Sequence, residues 1–430
     1  MRFILYINLL FLCSCYKDNK FNEVSINIPN YNHSKYHVNF STDNNIIVDI
    51  SYWSDENKII KTYESKGYNH DIILPFLKPS SNYSFKIRSS KNSSILYSFK
   101  TRDLPEFFPS FVLERDSLFS FDGYLFFRTQ SDPGIQFMMD DKGDIIWYNI
   151  ADTTLSRPYN KGDYNSYVSL SKSDLIHEIR YDGDTLFSKN TNNKILHHDI
   201  LKNNNKYVGL TYEYLDFKRN SIDSLIGDGI VVYDSVGNNI WEWNIFDHVN
   251  PLDENYKIQE DWSHANAIDV DNDGNYLISF RSFDQIWKIN SKSGDIIWKL
   301  GENGDFDLTS EELFYQQHAI HKLDNSRYML FDNGMTDKRK TTRALIFSLD
   351  EENKTFIHQN SIFLPDSLFS FKQGSVYLMD DNKFLFASSV NNKTVITDTD
   401  GKILFLLEPG ADYRLPNDEM CITRLGLMHN

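Results

Sequence analysis

A short motif recurs six times after residue 104 and constrains the fold more than any other feature of the chain. In each copy, Gly or Asn at a tight turn precedes β-branched, aliphatic and aromatic residues, which is typical of a hairpin leading into a strand. Successive copies lie 40, 54, 57, 59 and 48 residues apart, a spacing that accommodates four short strands. The copies begin at Gly143, Gly183, Gly237, Gly294, Asn353 and Gly401. The repeat predicts an all-β, six-bladed β-propeller over residues 104–415, with an array of β-sandwiches as the alternative.

Residues 22–103 lack this repeat and have the pattern of a separate all-β domain. Residues 45–52 and 83–88 alternate polar and apolar side chains, as half-buried strands do. Residues 77–83 end in Tyr83 and resemble the tyrosine corner of fibronectin type III sandwiches. We therefore expect a small fibronectin type III-like β-sandwich ahead of the propeller.

The first 15 residues have the pattern of a targeting segment. Arg2 is followed by the short apolar run 3–12, and the segment ends in Cys15 in a context that resembles a bacterial lipobox. We predict a lipoprotein signal peptide with Cys15 lipidated, and a mature protein on the periplasmic or cell-surface face of the outer membrane. An ordinary secretory signal is the alternative. Cys13 would be removed with the signal, so Cys421 would have no disulfide partner.

The formal net charge of −16 restricts the classes of partner. Nucleic-acid binding needs clustered Lys and Arg, so no nucleic-acid partner is expected. Membrane contact is expected through the lipid anchor only.

A second repeat places histidines at equivalent points of consecutive blades. His198, His264 and His318 each open a short strand that turns through a polar segment into a second strand beginning with an aromatic residue. The fourth copy has Gln373 instead. Innermost strands of propeller blades line the central channel and run in the same sense, so these side chains should converge. His177, His197 and His321 lack this register and are interpreted as structural.

Scans for cofactor and metal motifs are negative. There is no phosphate-binding Gly-Lys-Ser loop, dinucleotide fingerprint or Gly-x-Ser-x-Gly elbow, so no cofactor is expected. Residues 269–274 resemble the start of a calcium loop, but Phe280 stands where the bidentate Glu is needed, which favours a hairpin turn. A metal held by the histidines stays an alternative, although no Cys or carboxylate shares their phase.

The sequence Asp-Trp-Ser-His-Ala-Asn at residues 261–266, followed by Ile-Ser-Phe-Arg at 278–281, resembles the signature of bacterial arylsulfate sulfotransferases. So do Gln-His at 317–318, Phe-Asp-Asn-Gly at 331–334 and Thr-Arg-Ala at 342–344. The resemblance implies a six-bladed propeller outside the cytoplasm that moves a sulfuryl group from an aryl sulfate ester to a phenol, without phosphoadenosine phosphosulfate. The segment 298–318 is shorter than in the family, and the cysteine pair of some periplasmic members is absent.

The resemblance also implies roles for individual residues. His318 would be the nucleophile that becomes sulfated, with His264, Arg281 and His198 as its partners. Because His197 precedes His198, either of the two could be the third channel histidine. Asn266, Asn333 and Arg343 would contact the substrate.

General chemistry agrees with these roles. A neutral imidazole avoids the repulsion between an anionic nucleophile and a sulfate ester. A protonated histidine such as His264 can protonate the leaving phenolate, and Arg281 offers a planar cation to the sulfuryl oxygens. Two other classes of function stay open: a non-catalytic surface propeller that binds an anionic or aromatic ligand, and a metal-dependent hydrolase or lyase that uses the His cluster.

Overall fold

The computed structural model divides the chain into two compact units, Met1–Asp103 and Leu104–Asn430. The structure describes residues 21–27, 35–54, 61–90, 92–106, 108–128, 134–151, 155–161, 164–171, 174–181, 183–192, 194–219, 221–252, 256–324, 326–379, 382–410 and 425–428. Within these ranges the regular structure is all β, apart from short 3-10 turns. No described helix is long and apolar enough to cross a membrane.

The first unit is built around one long central strand. Its strands are β1 (Phe21–Asn27), β2 (Tyr36–Ser54), β3 (Lys61–Leu74), β4 (Asn82–Ser89) and β5 (Tyr97–Lys100). They form a single hydrogen-bonded sheet: β3 pairs along most of β2, β1 and β4 pair with the first and second halves of β2, and β5 pairs with β4. The Tyr83 hydroxyl accepts a hydrogen bond from the backbone N–H of Lys78 at 2.9 Å, as the tyrosine-corner interpretation expects. The fibronectin-like sandwich itself stays a prediction.

The second unit contains six small antiparallel sheets among the described residues. Its first eight strands are β6 (Phe111–Arg115), β7 (Tyr124–Arg128), β8 (Gly134–Met139), β9 (Ile145–Ala151), β10 (Leu155–Lys161), β11 (Tyr164–Ser171), β12 (Leu175–Arg180) and β13 (Thr185–Asn190). The next eight are β14 (Leu196–Asn203), β15 (Lys206–Arg219), β16 (Ile222–Asp234), β17 (Asn239–Asn244), β18 (Ala265–Val270), β19 (Tyr276–Phe280), β20 (Gln285–Ile289) and β21 (Ile296–Gly301).

The remaining strands are β22 (His318–Lys322), β23 (Arg327–Asp332), β24 (Arg343–Asp350), β25 (Thr355–Phe363), β26 (Ser375–Met379), β27 (Lys383–Ser388), β28 (Lys393–Thr397), β29 (Ile403–Pro409) and β30 (Leu425–Met428). Short 3-10 turns cover Ile245–Asp247, Arg281–Phe283, Asp366–Leu368 and Ser389–Asn391. Four sheets are consecutive runs of four strands: β10–β13, β14–β17, β18–β21 and β22–β25. This arrangement of many small sheets is consistent with a propeller.

Strands from both ends of the second unit complete the other two sheets. Strand β30 pairs with β7 and joins β7–β9, whereas β6 pairs with β29 and joins β26–β29. The first strands β10, β14, β18, β22, β26 and β30 then contact one another in a closed ring. The predicted boundary at residue 415 leaves out β30, because pairing between distant parts of a chain leaves no local repeat in the sequence.

The recurring turn motif lies where a hairpin is needed. Each copy immediately precedes the last strand of its run, which is β9, β13, β17, β21, β25 or β29. Five of these turns use glycine at positive φ, for example Gly294 at 80°. In the copy without glycine, Lys354 adopts φ 53°. Glycine is favoured there because a side chain resists this conformation.

The cores lie between adjacent sheets, and hydrogen bonds link the first strands of different sheets. Trp298 and Leu300 of β21, for instance, pack with Leu330 and Phe347 of the next sheet. Arg157 of β10 donates to the carbonyl of Ile268 in β18 at 2.9 Å. The carboxylate of Asp199 in β14 accepts from the N–H of Ile268 at 3.0 Å. Such hydrogen bonds hold the strands that carry the histidines at fixed separations.

Candidate active site

Four residues singled out by the sequence meet at one end of adjacent first strands. His198 lies in β14, His264 immediately precedes β18, and His318 begins β22. Arg281 follows β19 in a 3-10 turn, and its backbone N–H donates to the carbonyl of His264 at 3.0 Å. The rings of His198 and His264 are 4.9 Å apart between centroids. His318 and Arg281 both lie close enough to His198 to influence its pKa.

The backbone departs from regular strand geometry at these positions. His198 and His264 adopt φ of 51° and 49°, and Ala319, next to His318, adopts 50°. Strands β14, β18 and β22 each have a register shift at this point. Non-glycine residues adopt positive φ only when their surroundings impose it, and such positions concentrate at functional sites. Bulges also redirect side chains, which here brings the rings together.

The surroundings of His318 fix its hydrogen-bonding state. Its Nδ1 is 2.8 Å from Oδ1 of Asn333 and 3.0 Å from the carbonyl of Gln316. The Asn333 amide nitrogen donates to the carbonyls of Ser370 and Gln373, so its oxygen must face His318. Both neighbours of Nδ1 are therefore acceptors, and the ring carries its hydrogen on Nδ1. The Nε2 lone pair has no hydrogen-bond partner among the described residues.

His318 is also held neutral. Burial lowers the pKa of its ring to about 3, with Arg281 and His264 acting in the same direction, against the opposing hydrogen bond to Asn333. A neutral imidazole with Nδ1–H and an available Nε2 lone pair is the form that can act as a nucleophile.

His264 differs from His318 because its partner is a carboxylate. Its Nδ1 forms a short hydrogen bond with Oδ2 of Asp261, three residues earlier in the chain. Burial raises the pKa of Asp261, but the hydrogen bond and the charge of His264 outweigh burial and lower it. The side chains of His264 and Asp261 are 24% and 49% exposed, so this pair can exchange protons with water. The arrangement suits a general acid or base.

Arg281 is a cation that the described residues leave without a hydrogen-bonded partner. Its guanidinium makes no side-chain hydrogen bond or salt bridge with the part of the chain that the structure describes. Burial lowers its pKa, and Asp284 and Asp261 offset this only in part. A partly buried guanidinium in this state favours an anionic ligand.

His197, interpreted as structural from the sequence, also contacts the cluster. Its Nδ1 is 2.8 Å from Nδ1 of His198, and its ring stacks on Tyr212 with centroids 3.9 Å apart. Burial lowers the pKa of His198 to well below the usual range, and the neighbouring His197, His264, His318 and Arg281 lower it further. His198 is the histidine that contacts His264, so it is the third member of the cluster. The His197-His198 pair was the only sequence signal for this contact.

The three residues expected to contact substrate are buried and have protein partners. Asn333 is fully buried, and both ends of its amide are engaged as described above. Asn266 donates to the carbonyl of Gln317 at 2.7 Å, next to His318. Arg343 is buried and donates to Asp332, to Ser361 and to the carbonyls of Glu311 and Leu313. The buried Oδ1 of Asn266 has no hydrogen-bond partner among the described residues. Substrate contact by the three residues stays a prediction.

The described residues contain no group of three His, Cys, Asp or Glu side chains arranged to hold a metal ion. The segment that resembles a calcium loop has an internal cation. Lys288 Nζ is 2.7 Å from Asp271, 2.8 Å from Asp273 and 2.6 Å from Glu351. This ammonium neutralises the carboxylates that a calcium ion would need.

Comparison with known proteins identifies the family. Residues 112–403 match the model of the arylsulfotransferase (ASST) family, which is more than half of the chain. The chain belongs to the arylsulfotransferase family. The resemblance seen in the sequence is thereby confirmed, and it supports arylsulfotransferase activity in general. Small-molecule aryl sulfate and phenol substrates fit this family.

The sequence matches no curated protein. Among solved structures, the arylsulfotransferase chain is similar to a protein of unknown function from Bacteroides caccae, with 10% identity, TM-score 0.41, and coverage of 71% of this chain and 98% of that one. A second similar structure, a protein of unknown function from Bacteroides thetaiotaomicron, has 11% identity and a TM-score of 0.37, and the match covers 90% of this chain and 98% of that one. A catalytically inactive virginiamycin B lyase from Staphylococcus aureus has 13% identity, TM-score 0.35, and coverage of 71% and 90%.

Proposed function

We propose that this arylsulfotransferase moves a sulfuryl group from an aryl sulfate ester to a phenol through a sulfohistidine at His318. The observation that carries the proposal is the state of His318: neutral, with hydrogen on Nδ1 and an available Nε2 lone pair, beside a guanidinium to which the described residues offer no hydrogen bond or salt bridge. A neutral nucleophile next to a cation suits an anionic, electrophilic substrate.

In the first half of the reaction, Nε2 of His318 forms a bond to sulfur while the bond between sulfur and the phenolic oxygen breaks. The electron pair of that bond leaves with the phenolate. His264 supplies the proton that converts the phenolate to a phenol, and Asp261 stabilises the ring that changes charge. Arg281 binds the sulfuryl oxygens in both halves of the reaction.

In the second half, the acceptor phenol gives its proton back to His264 as its oxygen attacks sulfur. The bond between Nε2 and sulfur breaks, and His318 regains its lone pair. Protons and charge balance over the cycle, so no cofactor is consumed. One site for both phenols predicts that donor and acceptor bind in turn, with ping-pong kinetics.

The test uses 4-nitrophenyl sulfate as donor and a phenol as acceptor. We expect release of nitrophenol that depends on the acceptor, and a sulfuryl adduct on the peptide containing His318 after incubation with donor alone. Turnover without this adduct would replace His318 by another nucleophile or by direct transfer. Binding of aryl sulfates without turnover would identify a ligand-binding propeller, and activity abolished by a chelator would identify a metal-dependent enzyme.

We also propose the finer architecture and the location. The closed ring of first strands supports a six-bladed propeller, and the Tyr83 contact supports a fibronectin type III-like domain before it. Cys15 and the signal segment lie outside the described residues, and the lipobox-like sequence supports an exported lipoprotein of the outer membrane. Cys15→Ala should abolish partition with membranes; unchanged partition would exclude the anchor.

A further inference from the structure

His197 and His198 are consecutive residues of β14 whose rings meet. In a regular strand, consecutive side chains point to opposite faces. The positive φ of His198 and the register shift between His197 and Ile200 break this alternation. As a result, the Nδ1 atoms of the two rings are 2.8 Å apart. At that distance one ring must donate a hydrogen and the other must accept it.

The other side of His197 faces a buried carboxylate. Its Nε2 is 3.1 Å from Oδ1 of Asp228, an ion-pair contact rather than an aligned hydrogen bond. Asp228 Oδ2 accepts hydrogen bonds from the Ser263 hydroxyl and from the N–H of Ala265, the latter at 2.7 Å. Because Asp228 is only 2% exposed, its charge is compensated mainly by these groups. His197 is thus held between Asp228 and His198.

The number of protons on the His197–Asp228 pair decides what His198 presents to the site. With one more proton, the Nδ1–H of His197 donates to Nδ1 of His198, so His198 carries its own hydrogen on Nε2. With one fewer, Nδ1 of His197 accepts from His198, and Nε2 of His198 is a bare lone pair. His198 is neutral in both states, since burial and the surrounding cations lower its pKa.

We propose that Asp228 and His197 are positioning residues that turn His198 into a hydrogen-bond donor when the sulfated substrate binds, with uptake of one proton by the pair. A lone pair on Nε2 would repel the sulfuryl oxygens, whereas an N–H binds them. The inference rests on the proposed function, because it needs an anion next to His198.

Other titratable groups face the same space and must be separated from the pair. His264, His318 and Arg281 face His198, while Tyr212 and Asp261 lie beside the pair. His264 and Asp261 in particular can exchange protons on binding. The test therefore compares variants instead of relying on one pH profile.

The probe is 4-nitrobenzenesulfonate, whose carbon–sulfur bond is not transferred. Titration calorimetry in buffers of different ionisation enthalpy counts the protons taken up per bound anion. In Asp228→Asn, the amide oxygen can still accept from Ser263 and Ala265, while the amide N–H faces Nε2 of His197. His198 is then a permanent donor, and proton uptake should fall by one relative to the wild type.

The matched control is Ser263→Ala, which removes a hydrogen bond to Asp228 but leaves the carboxylate facing His197. This variant should take up as many protons as the wild type. Equal uptake in Asp228→Asn and wild type would overturn the proposal. His197→Phe keeps a ring stacked on Tyr212 without nitrogen atoms, so it should lower sulfonate affinity about tenfold; unchanged affinity would also overturn the proposal.

A measurement on the wild type keeps the proposal testable if a variant folds poorly. Nitrogen chemical shifts of ¹⁵N-labelled histidine, with His198 assigned from His198→Gln, should show hydrogen on Nε2 in the sulfonate complex. An unprotonated Nε2 there would exclude the proposal while leaving the sulfotransferase assignment intact. A wild type that neither binds the sulfonate nor turns over aryl sulfates would instead refute the proposed function, and the inference with it.

Discussion

The surroundings of Arg281 and of Arg343 are two regions in which burial lowers the pKa of a guanidinium. Around Arg343, Asp332 and several oxygen acceptors satisfy the cation. Around Arg281, the described residues offer no acceptor to the side chain. Burial of an unpaired charge is unfavourable, so other parts of the fold must offset the cost of burying Arg281. A bound anion would supply the missing partner.

The backbone is regular around Arg343 and irregular around Arg281. Arg343 begins β24, which pairs with β23 without a register shift. Around Arg281, both His198 and His264 adopt positive φ, and strands β14 and β18 are bulged. The comparison separates a framework region, which stabilises the fold, from a site region, which is held ready for a ligand. Mutations in the site region should therefore reduce activity most, whereas mutations in the framework region should reduce the free energy of unfolding most.

The largest effect is expected at His318 in the site region. His318→Ala removes the atom that would hold the sulfuryl group, so kcat should fall on the order of 10⁴-fold or more. The free energy of unfolding should fall by only about 1–3 kcal/mol, because Oδ1 of the buried Asn333 loses its hydrogen-bond donor. Steady-state kinetics and urea unfolding measure the two quantities. Residual turnover near the wild-type rate would place the nucleophile elsewhere.

The next largest effect is expected at Arg281. Arg281→Met removes the cation that faces the sulfuryl oxygens, so kcat/KM should fall about 10²- to 10³-fold. Stability should change little, because the described residues offer the guanidinium no hydrogen bond or salt bridge, and only Asp284 and Asp261 lose a nearby positive charge. Arg281→Lys retains the charge without the planar fork and should recover part of the rate. A strong loss of stability in Arg281→Met would show that the guanidinium is satisfied within the protein.

The matched substitution in the framework region should have the opposite outcome. Arg343→Met leaves Asp332 buried with Arg339 as its remaining cation, and should lower the free energy of unfolding by about 3 kcal/mol. Activity per folded molecule should fall far less than in Arg281→Met, since the Arg343 guanidinium is already bound to Asp332 and to backbone carbonyls. Urea unfolding and active-site titration give the two values. A large loss of kcat at unchanged stability would return Arg343 to the substrate site.

The sequence predicted the site better where the repeat applied than where it did not. His198, His264 and His318 could be aligned because each lies close to the start of a first strand, and strands of this kind converge by symmetry. The contact between His197 and His198 depends on a positive φ, which ordinary residue patterns do not encode. Arg281 and Arg343 were both expected at the substrate, since residue type alone does not reveal whether a buried partner such as Asp332 is present.

The last comparison, between the site and the framework as the solution is acidified, predicts the smallest effect. Burial lowers the pKa of His318 from 6.5 to about 3. Below pH 6.5 the unfolded chain binds a proton at this position and the folded chain does not, so stability that is present above pH 6.5 is lost as the pH falls towards 3. The expected loss is about 1.4 kcal/mol per pH unit.

His318→Gln removes this pH-dependent contribution to stability, whereas Arg343→Met keeps it. Urea unfolding at pH 7, 6 and 5 should therefore show the same decrease in the free energy of unfolding with falling pH for wild type and Arg343→Met, and a smaller decrease for His318→Gln. The same decrease in all three proteins would mean that His318 is accessible to protons in the folded state.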